Sequence, residues 1–127
     1  MSLASPLSRV RGLGSAKSGT HHWWQQRLTA VALVPLGLWF IYSLIAVDVT
    51  NHASVVRWLR EPVTVVLLIL LLGALLHHAQ LGVQVVIEDY VEPEWQKLAC
   101  IVMVKFLTIF AGLAGLVALM FVSLGLG

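Results

Sequence analysis

The sequence predicts an all-α integral membrane protein, with three transmembrane helices behind a basic amino-terminal arm that lies at the membrane interface. Three observations lead there. Hydrophobic residues make up 59% of the 127 positions and charged ones only 11%, against about a quarter charged in soluble domains. The apolar residues gather in runs near 28–47, 62–87 and 95–124, each long enough for the roughly 20 residues a membrane helix needs. Ahead of the first run, Arg9, Arg11 and Lys17 stand among serines and glycines, and no acidic residue precedes Asp48. Residues 1–127 therefore read as one membrane domain, with 1–27 as the arm on its inner side.

The same composition excludes other classes. A single cysteine, Cys100, at the start of an apolar run, builds neither a disulfide framework nor a cysteine metal site and reads as a small buried hydrophobe. The net charge of +2 comes from the arm and not from a basic patch with interleaved aromatics, so nucleic-acid binding has no support. The arm lacks an amphipathic period and an apolar core ahead of a cleavage site, and it reads as a retained segment. Its stretch Gly12 to Ser18 resembles a phosphate-binding loop only superficially. Ala16 stands where a glycine is required before Lys17, and no strand leads into it.

His21-His-Trp-Trp-Gln-Gln-Arg27 is aromatic and basic, as expected where a helix enters the headgroups. The first span then runs from about Leu28 to Val47, and Pro35 in its interior removes a backbone hydrogen bond and predicts a bend. Asp48 to Glu61 is expected to form a loop. Asn51, His52 and Ser54 give it turn chemistry, His52 is solvated, and Arg57 to Arg60 form a short interfacial helix. Pro62 suits the first turn of the second span, which ends near Val86 or slightly beyond and carries His77, His78, Gln80, Gly82 and Gln84 in its second half.

After Tyr90, Val91 to Lys97 is a polar turn with Pro93 able to start the third span. Lys105, early in that span, can snorkel back to the interface. Ala111, Gly112, Ala114, Gly115 and Ala118 place small residues three and four apart, a face against which another helix can pack closely. The arm with Arg27 carries four Lys or Arg, the 48–61 loop two, and the turn at 88–97 one. The excess of positive charge places the amino terminus on the cytoplasmic or matrix side, together with Arg27, Asp89 and Tyr90.

Chemistry concentrates in residues 76–91, Leu-His-His-Ala-Gln-Leu-Gly-Val-Gln-Val-Val-Ile-Glu-Asp-Tyr-Val. In a helix, the eleven-residue step from His78 to Asp89 turns about 1100°, within about 20° of whole turns, and rises roughly 16 Å. One polar group is thus deep in the bilayer and the other, on the same face, is near its surface. A polar group at that depth without a hydrogen bond costs of order 2–7 kcal/mol, so the deep histidine needs a partner. Two readings stand: a hydrogen bond to a neighbouring helix, or ligation of a haem iron, for which a neutral imidazole is suited and Gly82 one turn on leaves room.

Adjacent helical residues diverge by about 100°, so only one of the pair can be the ligand, and His78, sharing a face with Gly82 and Asp89, is preferred over His77. No other histidine of the chain lies at comparable depth, so a second axial ligand would come from another subunit. His21, His22 and Arg27 either pair with haem propionates or contact lipid headgroups. Asp89 and Tyr90 are either an interfacial belt or a quinone site, in which the phenol donates to a carbonyl oxygen and the carboxylate relays protons.

The pattern from His78 through Gly82 and Gln84 to Asp89-Tyr90, with Ser15-Ala-Lys-Ser-Gly-Thr-His-His-Trp23 and Arg27 before the first span, resembles the smaller of the two membrane anchors of succinate dehydrogenase (respiratory complex II). The resemblance covers almost the whole chain. It implies a place in a heteromeric helix bundle of the bacterial cytoplasmic or mitochondrial inner membrane. It implies that His78 is one axial ligand of haem b, the other coming from the larger cytochrome b anchor subunit. It further implies that Tyr90 and Asp89 line a ubiquinone site, that Arg27 with His21 or His22 contacts the haem propionates, and that an iron-sulfur subunit and a flavoprotein subunit bind on the inner side. The alternatives are a quinol:fumarate reductase anchor and a haem-free structural anchor.

Overall fold

The computed structural model describes residues 6–10 and 19–126. About half of the expected arm, residues 1–5 and 11–18 with Arg11 and Lys17, lies outside them. The described chain is helical throughout: α1 (Pro6–Val10), α2 (Gly19–Ala46), α3 (His52–Arg60), α4 (Pro62–Tyr90) and α5 (Glu94–Ser123). Of these, α2, α4 and α5 are long and apolar enough to cross a membrane. At about 1.5 Å per residue each exceeds a hydrocarbon core of about 30 Å.

Two boundaries differ from expectation. The first spanning helix begins at Gly19 and not near Leu28, because no proline or glycine between Gly19 and Pro35 interrupts it; residues 19–27 are its first turns, not part of a separate arm. It continues through Pro35. The second runs to Tyr90, past the expected end near 86–87. It stops as the chain approaches Pro93, with Val91 already extended at φ −97° and ψ 122° and with Glu92, the residue before the proline, kept from the helical region. Asp89 and Tyr90 are therefore its last residues.

The 48–61 connection is also more helical than expected. Asn51 caps α3 by accepting from the backbone amides of Ala53 at 3.0 Å and Ser54 at 3.4 Å, so the helix starts at His52. Before it, the hydroxyl of Thr50 donates to Asp48 at 2.6 Å and its amide does so at 3.1 Å. These bonds hold the exposed Asp48 carboxyl below its ordinary value, because they favour the charged form. Helix α3 packs on α4 and α5 and reaches α2 through Trp58, stacked on Trp39 with ring centroids 6.3 Å apart. Arg60 donates to the carbonyl of Val122 at 3.1 Å, placing a cation at the negative end of α5. Past that end, Gly125 turns left-handed at φ +73°, and Leu126 N–H closes on the Phe121 carbonyl at 2.9 Å, ending the helix in a Schellman turn.

The three spans form an open row. Helix α4 is in the middle, and α2 and α5 pack on it without packing on each other among the described residues. Its residues Thr64, Leu81 and Ile87, with Ser43 of α2, are the buried positions. The rest of the apolar surface faces outward, as it does when lipid or other helices complete the packing. On the α5 side the small-residue face does what its spacing predicts: a β-carbon on Gly115 would lie 2.8 Å from a methyl of Leu72, and one on Gly112 3.3 Å from a methyl of Leu76. Gly115→Leu is therefore expected to force α5 off α4 and destabilise the protein by about 1–3 kcal/mol, more than Gly115→Ala, which the flexible end of Leu72 can absorb. Thermal unfolding of the two variants side by side checks this.

Candidate functional site around His78

His78 is half-buried on the side of α4 that faces α2. Its Nδ1 lies 3.0 Å from the hydroxyl of Thr29 and its Nε2 3.3 Å from the side-chain nitrogen of Gln26. The Thr29 hydroxyl in turn donates to the backbone carbonyls of Gln25 at 2.9 Å and Gln26 at 3.0 Å. Gly82, one turn further along α4, is beside the same glutamine: a β-carbon there would come within 3.9 Å of its amide nitrogen. Two buried polar atoms in this region, Gln26 Oε1 and His22 Nε2, have no hydrogen-bond partner.

The neighbouring His77 points elsewhere. It lines a cleft of about 380 Å³ together with His21, His22, Gln80 and Lys105, drawn from α2, α4 and α5. The structure thus gathers His21 and His22 with His77 and not with His78. Arg27 belongs to neither group: its exposed guanidinium sits over the Trp23 ring, 4.9 Å from the centroid, in the aromatic belt at the start of α2 where Trp23 and Trp24 stack.

Asp89 and Tyr90 close α4 with both side chains exposed, Tyr90 by 83%. Because α4 is unbroken from Pro62 to Tyr90, the expected register holds: Asp89 is on the His78 face, about 16 Å along the axis. Among the described residues neither side chain meets a hydrogen-bonding partner.

No three His, Cys, Asp or Glu side chains gather among the described residues as they would for an ion held by this chain alone. A single imidazole instead suits a metal that brings its own equatorial ligands. Sequence reasoning missed Gln26 and Thr29. The signal was present, since His22, Gln25, Gln26 and Thr29 recur at three- and four-residue spacing and so form a polar stripe on one helical face. It is visible only once the helix is known to begin before them.

Comparison with known proteins agrees with this layout. Residues 1–112 match the model of the succinate dehydrogenase/fumarate reductase transmembrane subunit family. The succinate dehydrogenase hydrophobic membrane anchor subunit of Rickettsia bellii (strain RML369-C) is 37% identical over 116 residues, covering 91% of this chain and 92% of its own. The chain belongs to the succinate dehydrogenase/fumarate reductase transmembrane subunit family. More distant anchor subunits align as well, that of Reclinomonas americana at 28% identity over 73% of this chain and 80% of its own, and that of Paracoccus denitrificans at 27% over 84% and 82%. The anchor is thus an integral, multi-pass membrane protein, and its three spans are α2, α4 and α5.

Proposed function

We propose that this chain is the smaller of the two membrane anchors of succinate dehydrogenase, holding haem b through His78 and contributing Tyr90 and Asp89 to the site where ubiquinone is reduced. The observation that carries the reading is α4 itself, one uninterrupted helix with a half-buried imidazole at mid-length and an exposed Asp-Tyr pair at its carboxyl-terminal end. The buried imidazole suits a redox cofactor within the bilayer, and the exposed pair suits a quinone headgroup at the interface.

The residues fit the group. With its Nδ1 against a hydroxyl, His78 can offer Nε2 to iron, and Gly82 leaves the adjoining surface without a side chain. Haem b, when bound, supplies a one-electron carrier within the bilayer. A second ligand for the haem would come from the larger cytochrome b anchor, which would cover part of the open row. Arg27 would pair with the propionates, with His21 or His22 near them. Tyr90 donates its hydroxyl proton in a hydrogen bond to a quinone carbonyl oxygen, and Asp89 orients it or relays protons from the aqueous side. The amino terminus faces the cytoplasm or matrix, where the iron-sulfur and flavoprotein subunits bind.

A second reading draws on the same contacts: in a haem-free structural anchor, His78 would simply bond Thr29 and Gln26 across the helix interface. A third, a quinol:fumarate reductase anchor, differs in direction, which follows from cofactor potentials and is measured by redox titration with ubiquinone and menaquinone. The first test is purification through a tag on this chain. The proposal expects a flavoprotein, an iron-sulfur protein and a second membrane subunit to copurify. A chain recovered without them contradicts it.

A further inference from the structure

We infer that Thr29 is the positioning residue for His78: its hydroxyl accepts the Nδ1 proton, fixes the ring's tautomer and orientation, and so presents the Nε2 lone pair. The inference rests on the haem reading of His78 and adds to it a residue of the other helix.

Two contacts argue for the same proton arrangement. A hydroxyl has one hydrogen, and that of Thr29 is directed at the backbone carbonyls of Gln25 and Gln26 at 2.9 and 3.0 Å. Toward His78 Nδ1, at 3.0 Å, the oxygen therefore acts as acceptor, and Nδ1 carries the proton. On the other side of the ring the Gln26 side-chain nitrogen faces Nε2 at 3.3 Å. An amide nitrogen only donates, so Nε2 holds a lone pair. With the Gln26 amide turned over, Nε2 would carry the proton and be unable to bind a metal. That arrangement would also leave Nδ1 without its proton against the Thr29 oxygen, so the Thr29 contact selects the one in which Nε2 is free as a ligand.

Backbone bonding also makes Thr29 a stiff acceptor. A β-branched side chain whose hydroxyl bonds back along its own helix is held in one rotamer, so the imidazole plane is set by α2 and not by α4. Gln26 is the opposite case. Its Oε1 is buried without a partner, so the side chain sacrifices little by swinging away, and Nε2 is the position it vacates.

An acceptor at the distal ring nitrogen raises the basicity of the ligating one and tunes the metal. Greater basicity favours the oxidised, more positive iron and lowers its reduction potential. Thr29→Val keeps the branched shape and deletes the acceptor, whereas Thr29→Ser keeps the acceptor and deletes the methyl. In the purified intact complex, Thr29→Val should retain b-type haem with a raised midpoint potential, and Thr29→Ser should titrate like wild type. Loss of haem from the valine variant alone also supports the role.

A haem-bearing Thr29→Val complex with an unchanged midpoint overturns it, as does an equal shift or equal haem loss in both variants. If valine impairs assembly, Thr29→Ala gives the same comparison with the same outcomes. A wild-type complex lacking b-type absorbance overturns the haem reading itself, which separates that failure from the failure of Thr29.

Discussion

In the purified complex, His78→Ala is expected to abolish or strongly alter the b-type haem absorbance while His77→Ala leaves it intact. Two effects act at His78. The variant removes the imidazole that contacts Thr29 and Gln26 of α2, and it opens a polar void beside them. His77 has neither relation, because the 100° between successive helical residues turns it into the cleft with His21, His22 and Lys105. Absorption spectra at matched subunit content make the comparison. Equal spectra from the two variants would contradict the assignment of His78.

Tyr90→Phe is expected to lower succinate-to-ubiquinone turnover by roughly one to two orders of magnitude, with haem content and assembly preserved. A hydrogen bond to a charged group is worth about 1.5–3 kcal/mol, and about 1.4 kcal/mol is a factor of ten in rate. The bond strengthens as negative charge develops on the quinone oxygen, so its loss penalises the reaction more than the resting protein. Phenylalanine keeps the ring, and the exposed hydroxyl of Tyr90 makes no bond within this chain among the described residues, so the fold has little to lose. Electron transfer from succinate to an acceptor upstream of the quinone should stay near wild type. A parallel fall in both activities would make Tyr90 an assembly residue, and no fall in either would make it part of the interfacial belt.

How much of this was legible in the sequence depends on which physical signal each feature leaves. The His78 to Asp89 register could be read in advance because helical period alone sets which residues share a face, and nothing between them breaks a helix. Gly112 and Gly115 were readable as a packing face for the same reason, but their partners Leu72 and Leu76 were not, since many leucines of α4 match the pattern equally well. The start of α2 was misplaced because hydropathy marks where hydrocarbon begins, and a helix can start well before that, in the headgroups. That error hid Gln26 and Thr29, whose stripe belongs to those first turns. The structure turns His21 and His22 toward His77 and Arg27 onto Trp23, a separation that their shared place ahead of the first apolar run did not show. The capping of α3 by Asn51 was partly visible as turn chemistry. How far that cap extends the helix depends on α3 lying against α4 and α5, a tertiary contact that local sequence does not contain.

The central claim is that this anchor holds a haem that succinate can reduce, and the most direct test is the absorption spectrum of the purified wild-type complex, oxidised, then with succinate, then with dithionite. The account predicts b-type bands at one haem per copy of this chain, appearing at least in part with succinate and fully with dithionite. A complex with all its subunits and full succinate-to-ubiquinone turnover but no b-type bands would contradict it, and would leave His78 as a helix-to-helix hydrogen bond and nothing more.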